Sequence, residues 1–145
     1  QADRISSFTR EMWERGGDDN ERLMLRYLHD CTAPGDRVIV TGSTPSEVNY
    51  LIERPFAGGH LLWHHAWRSE SVQEMRSLAQ IQRQSVPFAY SNTDPVLDDF
   101  EKYPRIRAYL NQHYAELEGS EGLLLVDTRR TPVRRFGALG FPCFR

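Results

Sequence analysis

Long apolar runs, lysine and cysteine are what this 145-residue chain has least of. No stretch reaches the roughly 18 consecutive apolar residues of a membrane-spanning helix, so no segment reads as a span. No charged-then-apolar leader of the secretory kind is present. Lys102 is the single lysine among 18 basic residues, a bias that genome composition explains as readily as function. The two cysteines, Cys31 and Cys143, allow one disulfide at most. They stand far apart, each near a turn residue, and spacing alone leaves a bridge and two reduced thiols equally open. The chain opens on Gln1 rather than methionine, as expected of a processed product or an excised fragment.

The remaining composition is that of a folded domain. Aromatics at 11% and charged residues at 26% speak against intrinsic disorder. A chain of this length buries roughly 68–70% of its unfolded surface, enough for a core without metal. A net charge of −2 provides no global attraction to nucleic acid, which is therefore not expected as a partner. Residues 128–145, however, carry Arg129, Arg130, Arg134, Arg135 and Arg145 and no acid. Such a tail suits anionic phosphates, although a solvated strand and tail is the plainer reading.

Periodicity orders the chain into alternating helices and strands. Residues 1–15 read as a helix with Ile5, Phe8, Met12 and Trp13 on one side. "GGDDN" breaks it, and "ERLMLRYLHDCT" forms the next helix, burying Leu23, Leu25, Tyr27 and Leu28. "RVIVTG" is a short β-branched run bounded by turns, the mark of a strand buried on both faces. "STPSEVNYLIER" enters a second helix with Pro45 in its first turn and Thr44 or Ser46 as cap. "PFAGGHLL" reads as a short strand with a Gly-Gly turn. "SESVQEMRSLAQIQRQS" is the clearest helix, with Val72, Met75, Leu78, Ala79 and Ile81 as its apolar face. "VPFAYS" and "EGLLLVDTRR" are strands, and residues 94–119 read as helical with a break near Pro104. The expected fold is α/β: a layered, Rossmann-like domain with a small, mainly parallel sheet flanked by helices.

Few motifs carry chemistry. His60, His64 and His65 cluster in "GGHLLWHHAW", with His60 and His64 at the four-residue spacing of zinc ligands on a helix. The glutamate of the zincin pattern is missing, and Gly58 and Gly59 oppose a helix early enough to hold His60. Structural histidines in an aromatic loop are the preferred reading, and no metal is expected. The junction "VIVTGSTPSE" is strand, turn, helix, where open sheets bind anions or sugars, with Ser43 and Thr44 as candidate ligand residues. It contains neither G-x-G-x-x-G nor the P-loop pattern, so a generic junction is the default reading. G-x-S-x-G is absent, and Asp98 and Asp99 are adjacent on a helix and diverge. No residue is assigned a catalytic role, and no cofactor is expected.

Several blocks in order carry a resemblance: "YLHDCTAPGDRVIVTG", "RPFAGGHLLW", "RQSVPFAYS", "YPRIRAYLNQHY" and "RTPVRRFGALGFPCFR". From about Arg22 to Arg145 the chain resembles the C-terminal extramembrane domain of bacterial polytopic membrane glycosyltransferases. These form the superfamily of dolichyl-phosphate-mannose-type mannosyltransferases and aminoarabinose transferases, which use polyprenyl-phosphate sugar donors. The resemblance implies a segment 1–21 that follows the last membrane helix, then a single α/β domain over 22–145. It implies the periplasmic face of the bacterial inner membrane, where a Cys31–Cys143 bridge persists. The implied partners are the transmembrane portion of the same polypeptide and an acceptor glycan or lipid-linked sugar. The family's catalytic acid lies in a loop outside this sequence, so the domain is expected to be inactive alone. "ERPFAGG" would place Arg54, Gly58, Gly59 and His60 on an acceptor-facing surface, near Ser43 and Thr44. The competing expectation is a free-standing α/β ligand-binding domain or enzyme with an anion or nucleotide site after the strand at 37–42.

Overall fold

A computed structural model describes residues 18–59, 71–136 and 141–145. The expected helix at 1–15, His60, His64, His65, Trp63 and Trp67 lie outside these described residues. The elements, in order, are α1 (Asp18–Asp30), β1 (Val38–Thr41), α2 (Pro45–Ile52), α3 (Ser71–Arg83) and β2 (Phe88–Ser91). They continue with α4 (Val96–Asp99), α5 (Pro104–His113), β3 (Tyr114–Glu116), β4 (Leu124–Asp127), β5 (Arg134–Phe136) and β6 (Phe141–Cys143).

β1, β2, β4 and β3 form one sheet in that spatial order. The three apolar runs VIVT, FAYS and LLVD are buried at every position, as strands covered on both faces must be. Alternation then sorts their side chains into two cores. Val38, Val40, Phe88, Tyr90, Leu124 and Val126 pack with Met24, Tyr27 and Leu28 of α1 and Val48 and Ile52 of α2. Ile39, Ala89 and Leu125 face the other way, against Ile81 of α3, Val96 of α4 and Ile106 and Leu110 of α5. Helices therefore pack against both faces of the sheet, and the fold is mixed α/β. Each large side chain so buried contributes roughly 1.5–3 kcal/mol.

The sheet is mixed rather than mainly parallel. β1 and β2 run parallel, with Val38 opposite Phe88 and Thr41 opposite Ser91. β4 is antiparallel to β2, and β3 is antiparallel to β4. The reason lies in residues 117–123, where Leu117 accepts from Ser120 and donates to Leu124. Gly119 and Gly122 there have φ of 86° and 81°. A tight turn joins only antiparallel neighbours, because a parallel return needs a crossover of a dozen residues or more. The expected helix over 94–119 accordingly stops at His113. Tyr114 turns extended, sinks its ring into the second core and donates its hydroxyl to the Val86 carbonyl at 2.5 Å.

α3 departs from its apolar pattern. Val72 and Met75 are exposed, whereas Glu74, Ser77 and Ile81 are buried. Glu74 sets this rotation. Its carboxylate accepts from the backbone N–H groups of Arg105 (2.9 Å) and Ile106 (3.4 Å) in the first turn of α5. Those N–H groups have no partner within their own helix.

β5 and β6 form a separate hairpin that closes over the first core. Phe136 and Phe141 lie 5.3 and 6.0 Å from the Tyr27 ring. The Tyr27 hydroxyl donates to the Pro142 carbonyl, and Phe144 N–H donates to the Cys31 carbonyl at 2.8 Å. Cys31 and Cys143 are joined as a disulfide, with Cα atoms 4.4 Å apart. It ties the end of α1 to the last strand.

Candidate functional site at the end of the parallel strands

The loop leaving β1 leads to α2 on the first face, and the loop leaving β2 leads to α4 on the second. Diverging loops at the carboxyl ends of adjacent parallel strands open a crevice, the place where open α/β sheets take ligands. A cleft of about 400 Å³ lies there, lined by Glu21, Leu25, Ser43, Thr44, Glu47, Val48, Leu51 and Asn92. Leu25, Val48 and Leu51 make an apolar floor, and the others supply a polar rim.

Asn92 joins the two loops. Its Oδ1 accepts from the Ser43 N–H at 3.0 Å, and its Nδ2 donates to Thr44 Oγ1 at 3.0 Å and Glu21 Oε1 at 3.3 Å. Gly42 makes this approach possible. A Cβ there would stand 2.1 Å from Asn92 Oδ1, and its φ of +99° is one that other residues rarely adopt. Thr44 precedes α2 but forms no side-chain cap hydrogen bond, its hydroxyl being engaged by Asn92.

The charged groups of the lining are Glu21 and Glu47. Beneath them, burial holds the Tyr90 phenol far above its usual range, and the Glu21 charge adds to the effect. On the opposite face of the same strand ends sits Asp99. Burial raises its pKa, the hydroxyls of Thr41 and Ser91 oppose that rise, and the charges of Asp94 and Asp98 reinforce it. The opposition is incomplete, because neither Thr41 Oγ1 nor Asp99 Oδ2 has a partner at hydrogen-bonding geometry although both atoms are fully buried.

Of the residues singled out in the sequence, Ser43 and Thr44 line the cleft. Arg54 is elsewhere and buried. Its Nε donates to Thr32 Oγ1, Nη1 to the Glu53 carbonyl, and Nη2 to the carbonyls of His29 and Thr32. This is a cation on the carboxyl end of α1, satisfying carbonyls that lack intrahelical partners. Gly58 N–H donates to Gln84 Oε1 at 2.9 Å, and Gly59 (φ +72°) lies so close to Gln80 that a Cβ would meet its Oε1 at 2.5 Å. Both glycines thus seat their loop on the end of α3. His60 falls outside the described residues.

Glu21, Glu47 and Asn92 escaped the sequence reading. A signal for Asn92 was present: "SNTD" follows the second parallel strand just as "TGST" follows the first. Among the described residues no group of three or more His, Cys, Asp or Glu is placed to hold a metal ion. No described helix is long and apolar enough to cross a membrane. Compared with known protein families, curated proteins and solved structures, the chain matches none.

Proposed function

We propose that this chain is an extramembrane accessory domain of a membrane glycosyltransferase using a polyprenyl-phosphate sugar donor, and that it holds an acceptor glycan in the cleft without catalysing transfer. The observation that carries the glycan reading is the composition of the cleft. A sugar ring has apolar C–H faces and a girdle of hydroxyls. Leu25, Val48 and Leu51 offer a floor to the first, and Glu21, Ser43, Thr44, Glu47 and Asn92 offer donors and acceptors to the second. The disulfide supports an oxidising compartment and hence the periplasmic face. Helices packed on both faces of a parallel β1–β2 pair support reading the fold as layered and Rossmann-like. In this proposal the transmembrane portion of the same polypeptide supplies the catalytic acid and the donor.

An anion or nucleotide site after β1 is the weaker alternative. Glu21 and Glu47 repel phosphate, and the Ser43 N–H that would greet it already serves Asn92. Titration of the isotope-labelled chain with neutral oligosaccharides, followed by NMR, tests the choice. Shifts confined to residues of the cleft, weakened about tenfold by Asn92→Ala through loss of one or two hydrogen bonds, are expected. Saturable binding of inorganic phosphate or a nucleotide at Ser43 and Thr44, with no response to any glycan, would overturn it.

A further inference from the structure

We infer that His29 is a proton-operated clasp on the carboxyl end of α2, one of the two helices that wall the cleft, closed when the imidazole is charged. A hydrogen inventory is the first ground. His29 Nδ1 stands 2.9 Å from Asp30 Oδ1, and Nε2 stands 3.3 Å from Glu53 Oε2. A carboxylate only accepts, whereas a neutral imidazole carries one N–H and one lone pair. Either neutral tautomer therefore turns a lone pair on one of the two carboxylates. Only the imidazolium donates to both.

Position favours the charged form as well. His29 lies in the last turn of α1, where carbonyls without intrahelical partners attract a cation. Three arginines stand around this group. Arg26 Nε is 3.7 Å from the other oxygen of the Asp30 carboxylate, Arg134 Nη2 is 3.5 Å from the Asp30 carbonyl, and Arg54 Nη2 is 3.2 Å from the His29 carbonyl. These contacts go to Asp30 and to backbone oxygens, so they leave the Glu53 carboxylate to the imidazole.

When the proton leaves, Glu53 is the partner that parts. Asp30 is the next residue in the chain, whereas Glu53 is 24 positions away and its side chain is 74% exposed. Glu53 also holds a costly backbone conformation, ending α2 with φ of 57° where helices ordinarily place glycine. Its N–H donates to the Tyr50 carbonyl at 3.1 Å, and the Arg54 N–H donates to the Asn49 carbonyl at 3.2 Å. Loss of the imidazolium removes the side-chain tether on that turn, two residues from Leu51 of the cleft floor. The clasp is thus closed in acid and opens as pH rises through about 5 to 8, the range in which histidines discharge. It concerns a wall of the cleft and stands whether or not a glycan binds there.

Amide hydrogen exchange of the whole chain tests it, read by NMR as protection factors so that the intrinsic pH dependence of exchange divides out. The Glu53 and Arg54 amides should be about threefold better protected at about pH 5.5 than at about pH 8, the scale of an exposed ion pair. His29→Gln should erase the difference. Asp30→Asn is the sharper variant. The amide it introduces can donate to Nδ1, so a neutral imidazole keeps its N–H for Glu53, and protection at about pH 8 should rise to the acid level. A plain charge attraction between His29 and Glu53 would instead leave the pH dependence in place. Circular dichroism confirms that each variant is folded. Three results overturn the inference: equal protection of the parent at the two pH values, an undiminished difference in His29→Gln, or an undiminished difference in Asp30→Asn.

Discussion

Glu74 of α3 and Arg105 of α5 are joined twice, through the backbone N–H at 2.9 Å and through the guanidinium at 3.0 Å. Glu74 is 3% exposed, so its carboxylate is compensated by α5 rather than by water. Glu74→Ala should cost about 2–3 kcal/mol in urea denaturation, because it strips the first turn of α5 of a charged acceptor. Glu74→Gln keeps one acceptor oxygen and should cost about half as much.

Arg54 provides the corresponding test at α1. Arg54→Lys offers a compact ammonium where a planar fork reaches Thr32, Glu53 and His29, and Arg54→Ala leaves those groups bare. Losses of about 2 and 3 kcal/mol, respectively, are expected from chemical denaturation. Glycan affinity measured on the folded variants should remain unchanged. A selective loss of affinity would return Arg54 to the binding surface.

Asp99 gives a dependence on pH. Its folded pKa lies above the unfolded value, so the native state binds the extra proton and loses stability as pH rises through the folded pKa. Asp99→Asn removes that charge and offers an amide donor to the orphaned Thr41 Oγ1. The variant should melt above the parent at pH 7, and the gap should close as pH falls below the ordinary carboxylate range. Paired thermal scans across that range check both the sign and the window.

The disulfide closes a loop with a sequence separation of 112. Chain-entropy reasoning assigns such a loop about 4–5 kcal/mol. Cys31→Ser with Cys143→Ser should lower the urea midpoint accordingly, and intact mass should show a two-hydrogen deficit in the oxidised parent alone. A double variant as stable as the parent would place the stabilisation of the hairpin entirely in Tyr27, Phe136 and Phe141.

The sequence displays the three buried strands openly, because VIVT, FAYS and LLVD have no alternative to double-sided burial. It is silent on their pairing. The parallel expectation rested on helices between strands, and the turn at 117–123 defeats it with Gly119, read as the end of the helix over 94–119, and Gly122, read as part of the following strand. On α3 the apolar pattern pointed to Val72 and Met75, but a buried carboxylate with three donors outweighs two exposed apolar side chains. Ser43 and Thr44 were legible from a strand-turn-helix junction. Asn92 had a signal in "SNTD", but its partnership with Glu21 had none, because the two stand 71 positions apart and only the fold brings them to 3.3 Å.

Arg54 and Glu74 have a joint consequence for how the molecule opens. The carboxyl end of α1 is completed by a residue beyond α2, and the amino end of α5 by a residue within α3. No helix of these pairs keeps its terminus when its neighbour departs. Amides in the last turn of α1 and the first turn of α5, which ordinarily fray and exchange with solvent fastest, should instead exchange only with sub-global opening. Protection would then be distributed by partnership between helices rather than by distance from a helix end.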